Sequence, residues 1–271
     1  MADYAVMAVA MLGTGVVGGI LAGLLGVGGG IVIVPVLEIV LGLLGVPAEI
    51  RMHVAVATSL AVIIPTSISS ARAHNQRQSV DFDLAKRWAA FILVGAITGI
   101  VIASHVGGVV LSAVFGIVAL LVAIKMALPL DDVALTREVP RGVLSGLLPT
   151  FIGTISTMMG IGGGTLSVPA LTLMNTPIHR AVGTSALFGL LISIPGAVGF
   201  AIAGWGNEQL PAGSIGFVNI IGFALIAPVT VLAAPLGARL AHALSRRNLS
   251  LLFGLFLIVV SARMIFRATQ G

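Results

Sequence analysis

The chain has 271 residues, 58% of them hydrophobic, with 35 glycines, only 8% charged residues and a mean hydropathy of +1.16. Folded surfaces in water carry roughly a quarter charged residues, so this composition excludes an ordinary soluble domain and places the surface against lipid. Fourteen Lys and Arg stand against nine Asp and Glu, but they punctuate apolar runs instead of gathering on one solvated face, which excludes a nucleic-acid binder.

In chain order, apolar runs between charges and turn residues predict segments near 5–27, 31–46, 52–71, 88–105, 109–128, 142–160, 165–176, 179–203, 214–238 and 248–266. The first follows Met1-Ala2-Asp3-Tyr4, which lacks a basic leader region, so it is expected to be retained. A helix rises about 1.5 Å per residue and the hydrocarbon is about 30 Å thick, so about 20 residues span it and about 12 do not. The segment 165–176 is too short to cross. Gly162-Gly163-Gly164 and Pro177 flank it, which predicts a half-helix or one arm of a re-entrant hairpin. With no cysteine there is no disulfide framework and no thiolate site. Neither Lys86 nor Lys125 stands in a GxxxxGK[ST] loop, so transport is expected to be secondary or passive.

The two halves repeat each other. Gly26-Val27-Gly28-Gly29-Gly30 with Pro35 recurs 134 residues later as Gly160-Ile161-Gly162-Gly163-Gly164 with Pro169. His53 with Thr58-Ser59 recurs 126 residues later as His179 with Thr184-Ser185, and Phe115-Gly116 and Lys125-Met126 recur 138 residues later as Phe253-Gly254 and Arg263-Met264. The reading is an all-α integral membrane protein of two inverted-topology repeats, 1–134 and 135–271, each of about five segments with a Gly-rich broken or re-entrant half-helix. Inversion follows from the basic residues. Eleven fall on one side, taken as cytoplasmic, and only Arg51, Arg263 and Arg267 on the other. That count puts both termini on the periplasmic or extracellular side.

A triple glycine opening a short helix at membrane depth leaves amide N–H groups free at the positive end of the helix dipole, where an anion can approach the backbone. Glycines also simply let helices pack closely. Paired broken segments in inverted halves favour the transport site, so the expected anion-binding residues are Gly28, Gly29, Gly30, Thr58 and Ser59 from one half. The other half supplies Gly162, Gly163, Gly164, Thr165, Thr184 and Ser185. Glu38 is the one acidic residue inside an apolar segment, and is either a proton-coupling carboxylate or a solvated residue at the outer mouth. His53 and His179 start their segments without metal-ligand spacing and are read as structural, and Arg180 as an anchor. No metal site, no cofactor and no catalytic constellation are expected.

The doubled Gly-x-Gly-Gly-Gly…Pro motif, each copy followed by a His-to-Thr-Ser stretch, resembles the TauE/SafE family of sulfite exporters, also called the TSUP family, over roughly residues 12 to 267. The resemblance implies an inner-membrane permease moving sulfite, an organosulfonate or a related small anion. An anion channel or a carboxylate permease of the same architecture is the alternative. The partners implied are a small anionic substrate and the lipid bilayer, with no nucleic acid, and a homodimer is compatible with the chain.

Overall fold

A computed structural model of the chain describes residues 2–25, 28–127, 144–240 and 246–270. Among them are ten helices, α1 (Ala2–Leu25), α2 (Gly30–Leu43), α3 (Ala48–Asn75), α4 (Phe82–His105), α5 (Gly108–Ala127), α6 (Leu144–Met159), α7 (Gly164–Leu173), α8 (Ile178–Ala203), α9 (Ile220–Leu240) and α10 (Arg246–Gln270). Each of the ten expected segments overlaps one of these helices, and the protein is an all-α integral membrane protein. Five helices are long and apolar enough to cross a bilayer, namely α3, α4, α5 through Lys125, α8 and α9. Large aliphatic side chains such as Val94, Ile97, Leu121, Leu147 and Leu232 point outward, whereas His53, Thr58, Ser59, Ser67, Ser185 and Ser193 are buried. That inversion of the soluble pattern is what a hydrocarbon surround selects.

Two expected boundaries move. Helix α4 begins at Phe82 instead of 88, because Asp81 caps it by accepting the Leu84 N–H at 2.9 Å, so the charges at Lys86 and Arg87 lie inside the helix. Residues 214–219, expected as the start of a span, form a small hairpin of β1 (Ser214–Ile215) and β2 (Val218–Asn219). Asn219 then caps the start of α9 by accepting the Gly222 N–H at 2.8 Å.

The short helices end alike. Gly45 (φ +76°) and Asn175 (φ +58°) turn left-handed, while Val46 N–H donates to Leu41 O and Thr176 N–H to Leu171 O, both at 3.0 Å. These are Schellman-type closures that satisfy carbonyls left over at a helix end. Pro47 and Pro177 then open α3 and α8 with nearly identical backbone angles.

Helices α3 and α8 run antiparallel. Just beyond the end of α3, Asp81 N–H donates to Thr184 Oγ1 near the start of α8 at 2.9 Å, and Arg180 lies 3.8 Å from the Asp81 carboxylate. At the other end, past the close of α8, Asn219 N–H donates to Thr58 Oγ1, about three turns into α3, at 2.9 Å. The two sets of five helices therefore enter with opposite orientation. Packing follows the same exchange, with α1 along α9 as α6 lies along α4, and α3 against α8 and α9 as α8 lies against α3 and α4. The extensive seams join helices of different halves. In them backbones nearly touch: a Cβ on Gly23 would lie 1.9 Å from Ala234 O, and one on Gly95 2.1 Å from Thr150 O.

Candidate functional site at the paired glycine turns

Helix α2, at 14 residues, extends about 21 Å and α7, at 10, about 15 Å, so neither spans the roughly 30 Å hydrocarbon. Both start from glycine turns beside the midpoints of the long helices. Gly28 (φ +73°), Gly29 (φ +78°) and Gly160 (φ +67°) adopt left-handed backbone that a side chain would strain. Ser59 Oγ donates to Gly160 O at 2.7 Å and so ties the centre of α3 to the second-half turn.

Residues that correspond in the repeat meet each other here. A Cβ on Gly28 would lie 3.5 Å from Gly162 Cα, and one on Gly189 would lie 3.8 Å from Ile63 Cγ2; Gly162 is the counterpart of Gly28, and Gly189 that of Ile63. Contacting counterparts mark a pseudo-twofold axis relating the two sets of helices, and it passes beside the glycine turns. The turns are tightly enclosed. Ile63 covers Gly28 and Gly30, the Gly18 carbonyl approaches Gly29, and Phe188 and Ile192 approach Gly163.

The expected hydroxyls divide into two roles. Thr58 and Thr184 are fully buried, and each accepts the backbone N–H of the residue capping a helix of the opposite half, Asn219 for Thr58 and Asp81 for Thr184. Thr165 and Ser185 are buried and have no hydrogen-bond partner. Ser156, Thr157, Ser167, Ser193, Ser67 and Trp88 Nε1 share that condition. Those six were not singled out by motif, although Ser193 stands 126 residues after Ser67, the spacing that relates the two Thr-Ser pairs.

Glu38 stands apart from the turns. Its carboxylate is fully buried and faces three arginines, with Arg51 Nη1 at 3.6 Å from Oε1, Arg263 Nη2 at 3.4 Å from Oε2 and Arg267 hydrogen-bonded to Oε1. These are the three basic residues that the charge count set apart from the other eleven. Arg51 also donates to Val46 O at 3.0 and 2.8 Å, closing the link from α2 to α3. His53 Nε2 lies 3.1 Å from Ala103 O and 3.0 Å from Val106 O at the end of α4, and its ring stacks on Phe217 at 5.1 Å. Gly26, Val27, Arg137 and Arg141 lie outside the described residues.

Broken helices meeting at mid-depth on a twofold axis, inside antiparallel long helices with apolar exteriors, define a multi-pass membrane transport protein. The model of the sulfite exporter TauE/SafE family matches residues 11–264. The chain belongs to that family. A "Probable membrane transporter protein" of Haemophilus influenzae is 33% identical over 256 residues, covering 93% of this chain and 96% of that protein. A protein of the same description in Methanocaldococcus jannaschii is 28% identical over 93% of this chain and 92% of its own length, and one in Bacillus subtilis, YunE, is 26% identical over 93% and 95%. No solved structure matches the chain.

The two threonine acceptors give a direct prediction. Thr58→Val leaves a buried backbone N–H unpaired, which costs about 1–3 kcal/mol, and Thr184→Val does the same to a part-buried one at a smaller cost, so both lower the melting temperature of the purified protein. Thr58→Ser and Thr184→Ser keep the acceptor and largely keep the stability. Equal stability of the Val and Ser variants would remove these bonds from the account.

Proposed function

We propose that the protein is a secondary transporter of a small sulfur-containing oxyanion, sulfite or an organosulfonate, across the inner membrane, and that it is not an enzyme. The carrying observation is the contact of Gly28 with Gly162 on the twofold axis at mid-depth, beside buried hydroxyls of Thr165 and Ser185 that have no protein partner. Positive helix ends and neutral donors suit a carrier, because they hold an anion without the full strength of a Lys or Arg pair and so permit release. In this reading the anion meets the backbone at Gly28 to Gly30 and Gly162 to Gly164 when α2 and α7 separate. Residues 1–134 and 135–271 act as the two repeats that rock against each other.

Ligand binding to the folded state raises its stability. Sulfite, methanesulfonate, sulfoacetate, taurine, sulfate and short carboxylates, titrated against the purified protein, are expected to raise its melting temperature only for oxyanions bearing a sulfur centre. Stabilisation by carboxylates alone would move the substrate class, and stabilisation by none would overturn the reading. In proteoliposomes a carrier supports exchange of labelled against unlabelled anion.

Both termini are assigned to the periplasmic side, from the eleven-to-three distribution of basic residues. In a chain without cysteine, a single cysteine at Asn207 is labelled by an impermeant reagent in intact cells and one at Gln78 is protected. The opposite pattern reverses the assignment.

Proton coupling through Glu38 would require its carboxylate to separate from three guanidinium groups, so we assign Glu38 to holding α2 against α3 and α10. The folded fraction of Glu38→Gln then keeps uphill transport driven by a pH gradient. Exchange retained with loss of that uphill transport would instead make Glu38 the coupling group.

A further inference from the structure

Some buried hydroxyls in these helices close on their own backbone. Thr14, Thr66, Ser112 and Thr230 each donate to the carbonyl four residues earlier, at 2.6 to 2.9 Å, as Ser and Thr do in membrane helices. Seven other buried hydroxyls have no partner, and four of them gather near an indole. Ser67, Thr157, Ser167 and Ser193 have no partner, nor does the Trp88 indole N–H, and all five are at most 1% exposed.

The five lie around one stretch of α8. Ser193 shares a face of α8 with Gly189 and Gly196, four residues before and three after it. A Cβ on Gly189 would lie 2.4 Å from Ser67 Oγ of α3, and one on Gly196 3.5 Å from Thr157 Cγ2 of α6. On the adjoining face of α8, Phe188 stacks on Trp88 at 5.6 Å and approaches Gly163, whose Cβ would lie 3.5 Å from Ser167 Oγ. Unsatisfied donors thus line a seam where α3, α4, α6, α7 and α8 meet, beside the second-half glycine turn.

The first half offers an equivalent only of Ser193, which is Ser67. The counterparts of Thr157, Ser167 and Trp88 are Gly23, Ile33 and Ile226, and Ile63 covers Gly28 and Gly30. Resting on the carrier reading above, but shifting its anion from the twofold axis to the second-half side, we propose that the substrate is held off the axis by Trp88 Nε1, Thr157, Ser167 and Ser193, with Ser67 across the seam. An indole N–H only donates, so the ligand presents acceptors to it. Helices α6 and α7 carry no Lys or Arg and α8 carries only Arg180, in its first turn. The positive end of α7 therefore faces the ligand without a basic side chain from α6 or α7, which fits a singly charged oxyanion such as a small alkyl sulfonate better than a dianion.

Calorimetric titration of the purified full-length protein with methanesulfonate, sulfite and sulfate, alongside melting curves, tests this. Ser193→Ala, Thr157→Val and Trp88→Phe each remove one donor, and Trp88→Phe keeps the stacked ring. The expected result is an unchanged or higher melting temperature without anion, because an orphaned polar group has gone, together with at least about fivefold weaker methanesulfonate binding. Sulfate is expected to bind the wild-type protein more weakly than methanesulfonate. Unchanged affinity in all three variants, whatever their stability, overturns the off-axis site and leaves the carrier reading standing. If none of the three anions binds the wild-type protein, the carrier reading fails and takes this site with it.

Discussion

In hydrocarbon a backbone amide or carbonyl has no water to turn to, so a chain that interrupts its helices at mid-depth has to satisfy the freed groups with protein. This molecule does so by making each half complete the other. The Gly160 carbonyl at one break accepts from Ser59 of the opposite half. The N–H groups entering α4 and α9 are bound by Thr184 and Thr58, again across the halves. The interlocked packing of α1 on α9 and α6 on α4 surrounds that exchange. The amides at the second break close within their own half, on Thr157 and Ser156, so the exchange adds to local bonds instead of replacing them.

The same constraint explains where polarity is spent. Apart from Ser185, serines and threonines on the long central helices are either bonded to backbone or gathered along one seam, while the outer faces of α4, α5 and α9 are mostly apolar. Among the described residues, charge inside helices lies within about two turns of a helix end. Glu38 and its three arginines join α2, α3 and α10 at one end of the molecule, and Arg180 with Asp81 joins α8 to the start of α4 at the other. Both ion-pair groups tie one half to the other, so any motion that opens a path at one end has to loosen contacts made there.

Much of this was legible in the sequence, because hydropathy reports burial in lipid directly and a repeat reports symmetry. The glycine triplets, the Thr-Ser pairs and the short segment 165–176 located the breaks. The start of α4 was obscured because Lys86 and Arg87 look like a loop, whereas the local signal was Asp81 three residues before Leu84, a capping pattern. Glu38 was visible as an anomaly, but its three partners lie far along the chain in α10 or across a turn in α3, and no periodicity links them. The hydroxyl seam was hidden for a different reason. Whether a serine bonds its own helix or points into a seam depends on side-chain direction, and spacing alone could at most have paired Ser67 with Ser193.

The central claim is that a small oxyanion binds at mid-depth against the second-half glycine turn. Locating a bound selenite, the heavier analogue of sulfite, by its anomalous scattering in crystals of the protein tests it most directly. The account predicts density between the start of α7 and the Ser193 face of α8. Density only at the arginines around Glu38, with none at mid-depth, would contradict it.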